Sequence, residues 1–139
     1  MTENNKPHEQ GAAQGQPQAK SSGIGALSPD CAAIMVYATF PSAEAALAVG
    51  RALIEERLAG CINILLGMTS IYAWEGKIEE TSESVLIAKT IAGRAEDCIA
   101  FIRARHSYDV PAILVLPIIG GSADYLEWLR AGARHAGAA

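Results

Sequence analysis

Two residue types in this chain suit a soft or borderline metal. His106 offers imidazole nitrogens and Cys61 a thiol, the donors that copper or zinc selects. Each has a plainer reading. Cys61 follows the end of a helix and can serve as a small buried hydrophobe, and Cys98 lies on an apolar helical stripe where that role is expected. His106 sits at a helix C-terminus, where its charge can interact with the helix dipole. A second constellation is Tyr72, Trp74, Glu75, Lys89 and Tyr108. An aromatic rim carrying charges of both signs suits a small polar ligand in a cleft between subunits. Alternatively Tyr72 and Trp74 are interface anchors, Glu75 and Lys77 are turn charges, and Lys89 either snorkels or faces the cleft. Asp30, Glu79, Glu80 and Glu83 carry oxygen donors for a hard cation, but no EF-hand spacing is present. A solvated acidic strand face that guards an edge fits them better.

No nucleophile elbow, P-loop or His-Glu-x-x-His occurs, so no enzyme class is indicated. A hydrolase or isomerase built on His106, Asp109 and Lys89 has no recognised catalytic pattern behind it. The net charge of −4 and the lack of a basic cluster argue against nucleic acid. Apolar runs are too short for a membrane span, and the N-terminus lacks the apolar core of a signal peptide. Three cysteines without a Cys-x-x-Cys pair fit a reducing cytoplasm better than a disulfide framework.

The elements that must position these residues can be read in order. Met1 to about Asp30 is rich in Gln, Gly, Ala, Pro, Ser and Asn and shows no period; it is expected to be disordered, with His8 idle in it. Residues 31–139 form the folded domain. Ala32 to Phe40 reads as a central strand buried on both faces and ended by Pro41. Ser42 caps a helix whose stripe is Leu47, Gly50, Ile54 and Leu58, with Val49 and Leu53 beside it; Gly60 is its expected C′ residue.

Two β-rich runs from Ile62 to Thr90 flank Trp74-Glu75-Gly76-Lys77, which makes one hairpin with Gly76 in its turn and a bulge or bend at Gly67. At ~3.3 Å per residue the arm from Ile62 to Trp74 spans about 40 Å. A domain of about 100 residues is only about 33 Å across. The hairpin therefore overshoots its domain, exposing Tyr72 and Trp74 on one face and Ile71 on the other. Covering them requires another chain. A second helix opens at Gly93-Arg94 and runs to about Arg105, burying Ala95, Cys98, Ile99 and Ile102. Pro111 forces Val110 extended. Ala112 to Ile118 reads as a second buried strand with Pro117 at its end, and Ser122 or Asp124 caps a last helix to about Ala131. This β-α-β-β-α-β order, with a C-terminal helix, is an α+β ferredoxin-like sandwich with an antiparallel sheet.

Leu58-Ala-Gly-Cys61-Ile-Asn63, Thr69-Ser-Ile-Tyr-Ala-Trp-Glu-Gly-Lys77, His106-Ser-Tyr-Asp-Val-Pro111, Leu116-Pro-Ile-Ile-Gly120 and Asp124-Tyr-Leu-Glu-Trp128 together resemble the CutA divalent-cation tolerance family. The resemblance covers about Ala32 to Ala131. It implies a ferredoxin-like homotrimer with interlocking hairpins, similar to PII-type signalling proteins, and a role in tolerance of copper and other divalent cations. A copper site assigned in such proteins uses a first-strand Cys and a His pair before the Tyr. Those positions are Ala38 and Arg105-His106 here, so His106 alone is retained. The resemblance thus implies a weakly bound copper or other divalent cation. The alternative it leaves is a PII-like structural or signalling trimer that binds a metabolite or a partner protein.

Overall fold

The structure, a computed structural model, describes residues 29–137. The expected disordered tail, with His8, lies outside them except for its last two residues, which enter a 3-10 turn, Pro29–Cys31.

Strand β1 (Ala33–Phe40) is followed by helix α1 (Ala43–Glu55), strands β2 (Cys61–Trp74) and β3 (Lys77–Ile91), a 3-10 turn (Ala92–Arg94), helix α2 (Ala95–Ala104), strand β4 (Ile113–Pro117) and helix α3 (Ala123–Gly137). The sheet order is β2-β3-β1-β4, and every neighbouring pair is antiparallel. This is the expected ferredoxin-like arrangement. On one face Ile34, Val36, Ala38 and Phe40 of β1 pack with Ala46, Val49 and Leu53 of α1 and Cys98 and Ile102 of α2. The opposite face carries Met35, Tyr37, Lys89 and Cys61, and α3 crosses its end.

Ser42 has extended backbone, and its Oγ accepts a hydrogen bond from the Ala45 amide at 3.1 Å, so α1 is capped as expected. Its other end differs. Leu58 N–H donates to Leu53 O and Arg57 N–H to Ile54 O, with Arg57 at φ 59. That is a Schellman ending with arginine, rather than Gly60, in the left-handed position. Gly60 is small for another reason. A Cβ there would stand 3.0 Å from Leu129 Cδ1 and 3.2 Å from Leu129 O. The stripe of α1 is also rotated from expectation: Ala46, Val49, Gly50 and Leu53 are buried, while Leu47 and Ile54 face outward.

The hairpin turns at Glu75 (φ 49) and Gly76 (φ 79), two positive values in a two-residue loop, which gives the strands their matching twist. Between Leu65 and Met68 the β2–β3 register shifts, and Gly67 at φ 70 supplies the bulge. Strand β1 stops opposite Ser84, so Met68–Trp74 and Lys77–Glu83 continue as a two-stranded ribbon. At ~3.3 Å per residue that ribbon extends about 20 Å beyond the sheet. Ile71, Trp74 and Ile78 are 64%, 61% and 76% exposed on it.

Two further expectations are corrected. Strand β4 is not buried on both faces: it is the sheet edge, paired only with β1, and within the chain Leu114 and Leu116 are exposed. Helix α3 continues past Ala131 to Gly137. Leu129 and Ala133 are fully buried, and Arg94 Nε donates to Ala133 O at 3.3 Å, so the helix is held to the domain as far as Ala133.

Candidate functional site

The loop after α2 returns across the end of β1 and brings His106 and Tyr108 to the root of the ribbon. The imidazole stacks on Phe40, with centroids 4.5 Å apart and planes at 22°. Its Nδ1 accepts from the Tyr108 amide at 3.1 Å, and its Nε2 lies 2.7 Å from Thr39 O. An accepting Nδ1 leaves the proton on Nε2, which donates to Thr39; the network assigns this tautomer. Both nitrogens are thus engaged within the chain. The ring pins its loop to β1 instead of lying along the end of α2.

The Tyr108 hydroxyl donates to Glu83 Oε2 at 2.9 Å, and Ser70 Oγ donates to Glu83 Oε1 at 2.6 Å. Tyr72 and Thr81 share a 2.9 Å hydrogen bond one pair further out, and Tyr37 donates to Met68 Sδ at 3.6 Å. The register produces this grouping: beyond the bulge Met68, Ser70, Tyr72 and Trp74 share a face with Glu83, Thr81, Glu79 and Lys77. Burial, the Glu83 hydrogen bond and charge, and Tyr72 push the Tyr108 hydroxyl up to about 12. Glu83, read from sequence as part of a solvated acidic face, is instead the acceptor at the centre of this cluster. Residue type alone does not single out Ser70; its signal is its place two residues before Tyr72 on one strand face.

The expected ligand constellation divides in three. Tyr72 and Tyr108 meet around Glu83. Trp74 and Glu75 lie at the exposed hairpin tip. Lys89 lies at the other end of the sheet, directly opposite Cys61. There Lys89 Nζ donates to the Tyr125 hydroxyl at 3.3 Å and stands 5.3 Å from that ring's centroid. Burial, together with a hydrogen bond to Cys61 and its charge, raises the Tyr125 phenol above the usual tyrosine range. Sequence alone does not single out Tyr125, because only the docking of α3 reveals its neighbours.

Cys61 and His106 are not brought together. Cys61 is level with Met35 through Lys89, whereas His106 bonds at Thr39, four residues or about 13 Å along β1. Among the described residues no group of three His, Cys, Asp or Glu side chains could hold an ion. Both imidazole nitrogens have partners inside the chain, so these residues do not make a metal centre within one chain. Cys98, as expected, is buried and structural: its thiol donates to Leu58 O at 3.3 Å, and burial raises it to about 11.

Comparison with known proteins supplies the family. The sequence model described as "CutA1 divalent ion tolerance protein" matches residues 34–132. The chain is 44% identical over 102 residues to "Protein CutA, chloroplastic" of Arabidopsis thaliana, a match that spans 73% of this chain and just over half, 56%, of that protein. It is 45% identical over 96 residues to the "Divalent-cation tolerance protein CutA" of Thermus thermophilus, covering 69% of this chain and 93% of that one. The crystal structure of CutA1 from Oryza sativa superposes with a TM-score of 0.71 at 41% identity, covering 76% of this chain and 96% of that chain. With the ferredoxin-like sheet, the long ribbon and the His106–Tyr108 loop in place, the chain belongs to the CutA1 divalent ion tolerance family.

Proposed function

We propose that this protein is a non-enzymatic divalent-cation tolerance protein that works as a homotrimer in a reducing cytoplasm, joined through its β2–β3 ribbon. One observation carries the reading. The ribbon leaves the sheet with Ile71, Trp74 and Ile78 in water, and two strands without a third, or a packed helix, are marginally stable alone. A neighbouring copy that covers them stabilises the ribbon and buries its apolar faces at once. The exposed Leu114 and Leu116 of the β4 edge add surface for the same assembly. The count of three comes from the family resemblance. The three free thiols support the reducing compartment. Equilibrium sedimentation tests the assembly: a trimer is expected at micromolar concentration, and a stable monomer there refutes it.

Within the trimer, copper or another divalent metal is held weakly, with donors from more than one subunit. A metal at His106 must first displace Tyr108 N–H from Nδ1 or Thr39 O from Nε2, which lowers its affinity. Copper calorimetry in a background with His8 and His135 replaced by Ala tests this. Binding should be weak and should fall further in His106→Ala; unchanged binding removes His106 from the site. The second reading, a PII-like trimer that takes a small polar ligand or a partner protein without metal, is supported by the Glu83 cluster. Its phenol and hydroxyl donors and carboxylate acceptor lie at the ribbon root, where a neighbouring copy would close over them.

A further inference from the structure

We propose that Cys61, Lys89 and Tyr125, with Trp128 at the rim, form a binding site for a small monocarboxylate with an aromatic or apolar body. The site is separate from the Glu83 cluster, and the inference goes beyond the assembly reading and does not depend on it.

Register makes the floor. Lys89 stands opposite Met35 on one side and Cys61 on the other, so three side chains rise together from one face of the sheet. Helix α3 makes the wall. Ser122 caps it, with its Oγ accepting from the Tyr125 amide at 3.4 Å, and Leu129 and Ala133 lock it down. Tyr125 and Trp128, three residues apart, therefore sit on one helical face, with centroids 5.6 Å apart and rings tilted by 33°.

Charge sets the ligand class. The Lys89 ammonium is half-buried and carries three donors. Its side-chain partner is a neutral phenol at a long 3.3 Å, and among the described residues no carboxylate pairs with it. A partly desolvated cation without a counter-charge gains from an anion that arrives from outside. Tyr125 stays protonated, because burial and Cys61 raise its phenol, so its hydroxyl can turn from the sulfur to a carboxylate oxygen. One ammonium matches one negative charge. Phosphate or nucleotide recognition favours several cations or a guanidinium fork, which this cluster does not contain. The same ammonium, directly across from Cys61, opposes a metal cation at that sulfur. Beside the charge lie half-buried Met35 and a Trp128 that is 37% exposed. An apolar or aromatic body covers these while its carboxylate meets Lys89.

The full-length protein is labelled with 5-fluorotryptophan, so its two tryptophans give separate 19F signals, assigned with Trp128→Phe. Benzoate, benzyl alcohol and inorganic phosphate are titrated in turn. Benzoate is expected to shift the Trp128 signal saturably and leave Trp74, at the hairpin tip, still. Benzyl alcohol, which keeps the ring but not the charge, should bind about tenfold or more weakly. Lys89→Gln should lose a similar factor, and Lys89→Arg should recover part of it. If Lys89→Gln does not fold, the contrast between benzoate and benzyl alcohol on the unmutated protein decides alone. The proposal is overturned if benzoate gives no saturable shift, if benzyl alcohol binds equally, if phosphate binds more tightly than benzoate, or if folded Lys89→Gln binds as the parent does.

Discussion

Gly60→Ala tests whether α3 is held against the sheet as tightly as the geometry requires. The new Cβ would meet Leu129 Cδ1 at 3.0 Å and the Leu129 carbonyl at 3.2 Å. The methyl group can swing aside, but the carbonyl belongs to the helix backbone and moves only with the helix. Overpacking of this kind costs about 1–3 kcal/mol. Loss of glycine's freedom in the unfolded chain returns about 0.4–1 kcal/mol. The net destabilisation is up to about 2.5 kcal/mol, and at about 4 °C per kcal/mol for a domain of this size Tm falls by up to roughly 10 °C. Gly120 is the control, with nothing within 4 Å of its Cβ position and no left-handed φ; Gly120→Ala should be neutral or slightly stabilising. Both are measured by calorimetric melting at one protein concentration, since assembly makes Tm concentration-dependent. A second readout follows the helix itself. Tyr125 is four residues before Leu129, so a helix pushed away separates Tyr125 from Cys61 and Lys89. Its alkaline titration should fall back toward the ordinary tyrosine value. A Gly60→Ala protein that melts with the parent and keeps its Tyr125 titration refutes the close packing.

Other consequences can be checked as directly. Trp74→Ala removes a side chain with about 150 Å² in water, given ~250 Å² for a whole tryptophan, so covering it contributes at most about 4 kcal/mol to assembly; sedimentation should show trimer dissociation shifted to higher concentration, and an unchanged equilibrium removes Trp74 from the interface. Tyr108 holds its proton more tightly folded than unfolded, so its contribution is complete below pH 10 and is lost as pH rises through about 12. Melting across that range should fall less steeply in Tyr108→Phe, and parallel curves contradict the Glu83 pairing. His106→Ala leaves the Thr39 carbonyl and the Tyr108 amide without their partner, at about 1–3 kcal/mol for each group kept from water; urea unfolding should register at least the lower figure. Gly76→Ala places a Cβ at φ 79, and strain of about 1 kcal/mol should appear as a lower urea midpoint without loss of assembly.

Local chemistry in the sequence marked much of the fold. The Glu75-Gly76 turn, the Gly67 bulge and the Ser42 cap each depend on one or two residue types in immediate succession, so each could be found without a third dimension. The left-handed end of α1 could not, because arginine occupies it and only the two carbonyls it serves reveal the position. Hydrophobic pattern marked β4 as a strand but could not tell an edge from a centre: the same apolar run suits burial within a chain or between chains. The site shows the limit most clearly. Chemical character groups Lys89 with Tyr72 and Tyr108, and Cys61 with His106. Register exchanges those partners, setting Lys89 against Cys61 and Tyr108 beside His106. Character selects candidates for chemistry, while pairing across strands decides which of them meet.

The bulge at Gly67 acts as a frame shift in the chain. Upstream of it odd-numbered residues such as Cys61 share the face of Lys89; downstream the even-numbered Ser70, Tyr72 and Trp74 take that face. A β2 of the same length paired without the bulge would slip by one residue and put Ile71 and Ala73 opposite Glu79 and Lys77, where Tyr72 and Trp74 stand. Every side chain on the ribbon would survive, yet each would meet the wrong surface of a neighbouring copy. What the ribbon can recognise is thus encoded in a length as much as in a composition. Among homologous ribbons, loss of one residue here together with the bulge leaves the two faces intact, whereas loss of the bulge at unchanged length should be read as a change of partner surface.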